Sequence, residues 1–139
     1  MRFEEKVHIG KTPAEIFALY QDVNNWPTWD PEIKTSSIDG PFKTGMTGFL
    51  KPRSGPKSKF TLTEVVQDKS FTARTKLPLC SMYFEHELVP EPSGTKVLHR
   101  LVFKGFLAPV FGRLIGKKLH KELSHTMQSL KQVVEHKKS

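Results

Sequence analysis

The stretch LAPVFGRLIGKKLHKELSHTMQSLKQVVEH, residues 107–136, decides the fold of this chain. Its apolar side chains recur at steps of three or four residues, with polar side chains on the other faces. That period predicts one amphipathic helix, roughly 40 Å long at about 1.5 Å per residue. Pro109 is tolerated because it falls in the first turn. The apolar stripe consists of Phe111, Ile115, Leu119, Leu123, Met127, Leu130 and Val134.

The chain before this helix is mostly strand-like. Turn residues such as Asp39-Gly40-Pro41 and Glu91-Pro92-Ser93-Gly94 separate the strand-like runs. Because short separators make hairpins, the runs should form an antiparallel sheet. The predicted strands span 2–9, 32–39, 45–52, 58–67, 70–77, 81–90 and 95–104.

A short helix is predicted between the first two strands. Thr12 can cap it, Pro13 fits the first helical position, and Glu15 completes a capping box. This helix should stop near Asp22. The next stretch, 23–31, holds both tryptophans, and its two prolines exclude a regular helix but leave room for a single turn before Pro27.

Length and composition limit the class of protein. At 139 residues, the chain is expected to form one domain, 1–139. Its one cysteine, Cys80, excludes an internal disulfide and paired-thiolate metal sites, and is expected to be an inert thiol. The charges at the N-terminus are not expected in a signal peptide. The most apolar stretch, 101–116, contains Lys104 and Arg113 and is therefore not expected to span a membrane. The composition therefore predicts a soluble, cytoplasmic protein.

The chain is strongly basic, with 22 basic and 14 acidic side chains and a net charge of +8. Such a surface attracts anions. Its basic residues are dispersed and do not alternate with aromatic ones, as they do in nucleic-acid-binding modules, so no nucleic-acid partner is predicted. A weak contact with an anionic membrane surface, through the basic residues and the apolar segment 103–111, stays open as an alternative.

Four short motifs give the chain a family resemblance. They are Thr12-Pro13-Ala14-Glu15-Ile16-Phe17, Trp26-Pro27-Thr28-Trp29-Asp30-Pro31, Thr63-Glu64-Val65-Val66, and Gly94-Thr95-Lys96-Val97 with Gly105 before the last helix. In this order they resemble the START-like, Bet v 1-like (SRPBCC) superfamily, in particular its small bacterial polyketide cyclase/dehydrase members. The resemblance covers essentially the whole chain and carries no catalytic signature.

The resemblance implies an α+β helix-grip fold. In that fold a curved seven-stranded antiparallel sheet wraps around a long C-terminal helix over a hydrophobic cavity, with two short helices between strands 1 and 2. It also implies binding of a lipid, quinone or polyketide-like molecule. The name cyclase accompanies the fold and does not by itself indicate an activity.

The hairpin over 81–104 predicts which side chains face the interior. If Pro90 pairs with Thr95, then His86 lies opposite His99 and their β-carbons are about 5 Å apart. Two interpretations stay open. The histidines are either polar anchors or an acid/base pair in an apolar pocket, or they are interior side chains that bond each other, a water or a backbone carbonyl.

The Asp68-Lys69 turn gives a second register. With a two-residue turn, Val66 lies opposite Phe71 and Glu64 lies opposite Ala73, which places the Glu64 carboxylate on the apolar face. Glu64 is then either a cavity residue or a side chain that reaches the sheet edge or a lysine. Two histidines and Glu64 form an acceptable zinc ligand set, but a metal site is not expected.

These patterns together predict a binding module for a hydrophobic or amphipathic small molecule, held between sheet and helix. The alternative is a metal-free cyclase/dehydratase with His86 or His99 as the acid/base. No cofactor is expected, and the protein should be a monomer or weak dimer. Trp26 is assigned to the core and Trp29 to the cavity. The predicted cavity residues are Trp29, Phe60, Leu62, Glu64, Phe71, Ala73, Phe84, His86, His99, Leu101, Phe103, Phe111, Ile115, Leu119 and Leu123.

Overall fold

The structure is a computed structural model and describes residues 2–136. Its strands form one antiparallel sheet in the order β1-β7-β6-β5-β4-β3-β2, with β1 and β2 at the edges. The helix-grip architecture predicted from the sequence is confirmed. The strands are β1 (Arg2–Ile9), β2 (Ile33–Ile38), β3 (Thr47–Pro52), β4 (Ser58–Val66), β5 (Ser70–Leu77), β6 (Cys80–Glu91) and β7 (Gly94–Lys104).

Two short helices connect β1 to β2. The first, α1 (Pro13–Gln21), has the predicted capping box, since the Glu15 backbone N–H donates to Thr12 Oγ1 at 3.2 Å. A 3-10 helix, Val23–Thr28, follows at once and contains Pro27. Its Trp26 indole donates from Nε1 to the Tyr20 carbonyl oxygen at 2.9 Å, so the two helices are fixed to each other.

The long C-terminal helix, α2 (Ala108–His136), packs against β1, β6 and β7. Gly116 is buried where α2 crosses β1, and a β-carbon there would lie 2.5 Å from the Phe3 ring. The glycine therefore lets helix and strand approach closely. No helix within residues 2–136 combines the length and the apolar character needed to cross a bilayer.

The β6–β7 register agrees with the sequence prediction. Phe84 pairs with Leu101, His86 with His99, and Leu88 with Val97. The pairing extends to Glu91 and Gly94, so the loop is one residue shorter at each end than predicted. The sum of paired residue numbers is unchanged, and the inward face is therefore the predicted one.

The predicted β4–β5 register is wrong. Phe71 pairs with Val65 instead of Val66, because the loop has three residues and Asp68 adopts a left-handed conformation, with φ of 59°. A bulge between Leu62 and Glu64 then shifts the register once more. Leu62 on one side of the bulge is buried, whereas Glu64 on the other is exposed. The bulge thus turns Glu64 out of the sheet interior.

The interior contains two clusters of buried side chains. The larger one joins the two short helices to the middle of the sheet through Tyr20, Trp26 and Phe71. The smaller one lies around Leu101, Phe103 and Leu123, and includes the buried Cys80.

Candidate functional site

A cavity of about 200 Å³ lies between the sheet, the 3-10 helix and α2. We call it the sheet–helix cavity. Its walls are mostly apolar and aromatic, as in typical small-molecule sites. The lining residues are Trp26, Trp29, Asp30, Glu32, Ile33, Leu50, Pro52, Ser58, Phe60, Phe71, Ala73, Thr75, Met82, Phe84, His86, His99, Leu119, Glu122, Leu123 and Thr126.

The structure places nine of the fifteen predicted cavity residues on these walls. Both histidines are among these nine, and the walls also include Trp26, which the sequence had assigned to the core only. The nine are Trp29, Phe60, Phe71, Ala73, Phe84, His86, His99, Leu119 and Leu123.

The other six predicted residues lie elsewhere. Leu62 is fully buried in the larger cluster, and Leu101 and Phe103 are buried in the smaller one. Phe111 and Ile115 pack against that smaller cluster because the first turns of α2 lie beyond the cavity. Glu64 is exposed on the outside, so the set of Glu64, His86 and His99 cannot converge on one metal ion.

His86 is held between two aromatic rings. Its imidazole stacks on Phe71 at 3.8 Å between centroids and on Phe84 at 5.0 Å. Its Nδ1 lies 3.2 Å from the Phe71 carbonyl oxygen. Since a carbonyl only accepts, Nδ1 carries the hydrogen, and the neutral ring then presents Nε2 as an acceptor.

His99 lies edge-on to His86, at 4.6 Å between ring centroids, and makes no hydrogen bond to it. Its Nε2 is 2.8 Å from the Tyr20 hydroxyl oxygen. Its buried Nδ1 has no hydrogen-bond partner within residues 2–136. Leaving a buried polar atom unpaired costs about 1–3 kcal/mol. The Nδ1 atom of His99 can therefore still form one favourable hydrogen bond. We call Tyr20, His86 and His99 the imidazole cluster.

Burial controls the charge of this cluster. It lowers the pKa of His99 to about 3, and it lowers the pKa of His86 well below the ordinary value, with a further contribution from His99. Burial also raises the pKa of the Tyr20 phenol. All three side chains are therefore neutral at physiological pH and act there as hydrogen-bonding groups.

Three carboxylates form another part of the cavity wall: Asp30, Glu32 and Glu122, which we call the acidic wall. Asp30 Oδ1 accepts from the Thr126 hydroxyl and from the Glu32 backbone N–H, each at 3.0 Å. Burial raises the pKa of Asp30 to about 6. Burial also raises the pKa of Glu122, and the neighbouring Glu32 charge adds to that effect.

Sequence reasoning missed the acidic wall and the part played by Tyr20. Asp30 lies inside the tryptophan-rich motif, and a polar residue between buried neighbours was the available signal. Glu122 directly precedes Leu123 on α2, and its position at the cavity depends on how the helix crosses the sheet. Tyr20 and His99 are 79 positions apart, a pairing that no local pattern reveals.

Family comparison connects this geometry to known proteins. Residues 1–135 match the family model "Polyketide cyclase / dehydrase and lipid transport". The chain belongs to this family. Polyketide cyclase/dehydrase family members share the Bet v 1-like fold and typically bind hydrophobic ligands. No curated protein matches the sequence significantly.

Solved structures of distant relatives agree with the family fold. The Aha1 dimer from Colwellia psychrerythraea has a TM-score of 0.77 at 15% identity, covering 100% of this chain and 99% of its own. Ara h 8.0201 has a TM-score of 0.72 at 15% identity, covering 96% and 97%. The di-domain ARO/CYC StfQ of the steffimycin biosynthetic pathway scores 0.78 at 10% identity, covering 96% of this chain and 50% of its own. At these identities the likeness concerns the fold alone.

Proposed function

We propose that this protein binds a hydrophobic or amphipathic small molecule, of the lipid, quinone or polyketide-like type, in the sheet–helix cavity. The observation that carries the proposal is the cavity itself, whose mostly apolar walls hold a few polar groups. Apolar walls supply binding free energy, and a small number of polar groups fix orientation. The family's general preference for hydrophobic ligands supports the same function.

Native mass spectrometry of freshly purified protein, followed by organic extraction, tests this proposal. A stoichiometric co-purified lipid, quinone or polyketide-like molecule is the expected result. The matched variants are Ala73→Trp, which fills the cavity wall, and Ala18→Trp, which adds the same side chain on the exposed face of α1. Equal retention of the extracted molecule by both variants would contradict a cavity site.

The imidazole cluster favours one alternative, a metal-free cyclase/dehydratase. A neutral imidazole next to an apolar cavity can take a proton from a carbon adjacent to a carbonyl. Burial lowers the pKa of both histidines, which weakens them as bases, and this favours the binding function over catalysis. If a turnover is found, His86→Ala and His99→Ala should abolish it with little change in ligand affinity. Full turnover in both variants would remove the proposed base.

A further inference from the structure

The charges on the cavity wall narrow the class of ligand, given the binding function proposed above. Asp30, Glu32 and Glu122 are its only charged side chains at neutral pH, since the histidines are neutral and no lysine or arginine lines the cavity within residues 2–136. This is notable in a chain with a net charge of +8. Lys118, outside the cavity lining, lies 3.9 Å from Glu122 Oε1 and offsets part of this charge. The three carboxylates still leave the wall net negative, so it would repel a carboxylate or phosphate on a ligand.

The hydrogen-bonding groups of the sheet–helix cavity that have no partner indicate which polar group of a ligand it accepts. Asp30 Oδ2 and His86 Nε2 are acceptors without a partner among the described residues. The Trp29 indole N–H is a donor without one there, although Trp29 is only 3% exposed. A hydroxyl group can donate to one such acceptor and accept from this donor at the same time.

We infer that the sheet–helix cavity takes an uncharged amphiphile with a hydroxyl group at its polar end, and excludes ligands that end in a carboxylate. The hydroxyl donates to Asp30 or His86 and accepts from Trp29, while the apolar part contacts the aromatic walls. The cavity volume of about 200 Å³ suits a small ligand.

Octanol and octanoate, which differ only in the polar end, test this inference. Both tryptophans line the cavity, so intrinsic fluorescence reports binding of either probe, and at about pH 8 octanoate is ionised. Octanol should bind at least about tenfold more tightly than octanoate, because one more carboxylate near three others is disfavoured. Equal affinities, or tighter octanoate binding, would overturn the inference while leaving the cavity function intact.

Charge-matched variants assign the effect to the wall. The double variant Asp30→Asn, Glu122→Gln should reduce the difference in affinity between octanol and octanoate, which we call the gap, by strengthening octanoate binding. The control, Asp39→Asn with Glu91→Gln, removes the same charge away from the cavity and should keep the gap. A control that narrows the gap equally would overturn the role of the wall. Absence of binding by either probe would instead overturn the cavity function itself, and the inference with it.

A separate observation concerns the outside of the molecule. Leu79, Phe106, Val110 and Leu114, which we call the apolar patch, are 69%, 85%, 47% and 73% exposed. The Leu107 backbone N–H donates to the Leu79 carbonyl oxygen at 3.0 Å, so the β5–β6 turn lies against the start of α2. Val110 and Leu114 are four residues apart on the same face of α2, and Phe106 lies in the turn directly before the helix.

Leu79 is unusual in conformation as well as in exposure. Its φ of 52° is left-handed, where glycine or asparagine is the ordinary choice. This backbone conformation is unfavourable for leucine, and its side chain is exposed to water. Both features indicate that Leu79 contacts something outside the folded chain.

The charge around the apolar patch indicates an anionic partner. Residues 104–121 contain five basic side chains, Lys104, Arg113, Lys117, Lys118 and Lys121, and no acidic one. Lys117 and Lys121 continue the stripe of Val110 and Leu114 along α2. Four apolar side chains fall short of the roughly 800 Å² per partner that a stable protein interface buries.

We infer that the apolar patch docks on an anionic lipid surface, with the basic residues against the headgroups and the apolar side chains inserted among them. Sedimentation with phosphatidylcholine vesicles containing about 30% phosphatidylserine tests this, and binding should fall steeply with added salt. Arg113→Gln and Lys117→Gln should each weaken binding about fivefold, whereas the exposed Lys34→Gln should not.

Apolar variants test the insertion. Phe106→Ala should weaken sedimentation, whereas Val66→Ala, a 40% exposed residue on β4, should leave it unchanged. Absence of sedimentation at low salt, or equal binding to vesicles of phosphatidylcholine alone, would overturn this inference. Concentration-dependent self-association that Phe106→Ala removes would overturn it in favour of a second copy of the chain.

Discussion

The imidazole cluster and the acidic wall face the same cavity but are built differently. Tyr20 and His99 are fully buried, and His86 is stacked between rings, so each side chain of the imidazole cluster has its position fixed by packing. Asp30, Glu32 and Glu122 are only partly buried. Rigid neutral groups on one side and adaptable charged groups on the other suggest that the cluster supports the fold while the wall selects the ligand.

The largest expected effect is on the packing around the imidazole cluster. Phe71→Ala removes the ring stacked on His86 and should destabilise the protein by about 3–5 kcal/mol. Phe106→Ala deletes the same side chain where it is 85% exposed, and should change stability by no more than about 0.5 kcal/mol. Urea unfolding measures both. Similar losses would show that the cluster is not the rigid part of the cavity.

The chain's two tyrosines provide the next test. Tyr20→Phe leaves His99 Nε2 without its hydroxyl partner, and should cost about 1–3 kcal/mol of unfolding free energy. Tyr83→Phe is the control, because Tyr83 lies half-buried on β6 and contacts Lys104 through its ring. If Tyr20→Phe proves as stable as the wild type, the hydrogen bond to His99 contributes little to the cluster.

The two regions should respond to pH in opposite senses. The pKa of His99 falls from 6.5 to about 3 on folding, so the unfolded chain binds that proton first and stability is lost as pH falls from 6.5. The pKa of Asp30 rises from 3.8 to about 6, so the folded chain binds that proton first and gains stability over pH 6 to 4.

Since the pKa of His86 is also lowered, the two histidines should outweigh Asp30, and the wild type should lose stability on acidification. Asp30→Asn removes the opposing contribution and should steepen the loss. Urea midpoints at about pH 7, 5.5 and 4.5 measure the slope. An identical slope in the variant would mean that Asp30 titrates alike in both states.

The smallest effect is expected within the acidic wall. Glu122→Gln removes a carboxylate whose pKa burial and Glu32 raise, so stability near neutral pH should increase by less than about 1 kcal/mol. Glu91→Gln, an exposed carboxylate paired with His8, serves as the control and should not stabilise. Thermal unfolding at neutral pH compares them, and a clear loss in Glu122→Gln would show that the wall stabilises the fold.

The pairing register of a hairpin could be predicted from the sequence only where inward and outward side chains alternate without interruption along both strands. The β6–β7 pairing did, and it placed His86 beside His99 without any template. The β4–β5 hairpin did not, because a left-handed Asp68 and a bulge before Glu64 each moved the register by one residue. Neither position carries a glycine, and an aspartate in a turn does not fix how many residues the loop contains.

The candidate site was only half predictable for a different reason. Strand alternation located apolar walls such as Phe60, Phe71 and Phe84, since the inward face of a strand is a local property. Glu122 and Phe111 depend on where α2 crosses the sheet. That crossing depends on tertiary contacts such as Gly116 against Phe3, which helical periodicity does not contain.

The stacked imidazole of His86 gives the protein a built-in magnetic reporter. Phenyl rings lie nearly parallel to it, at interplanar angles of 7° to Phe71 and 15° to Phe84. Protons of a ring held in this position experience the ring currents of its neighbours, so the His86 carbon-bound resonances should appear upfield of those of exposed histidines. A molecule that entered the cavity and displaced Phe84 would move those resonances, and proton NMR could therefore follow occupancy without any label.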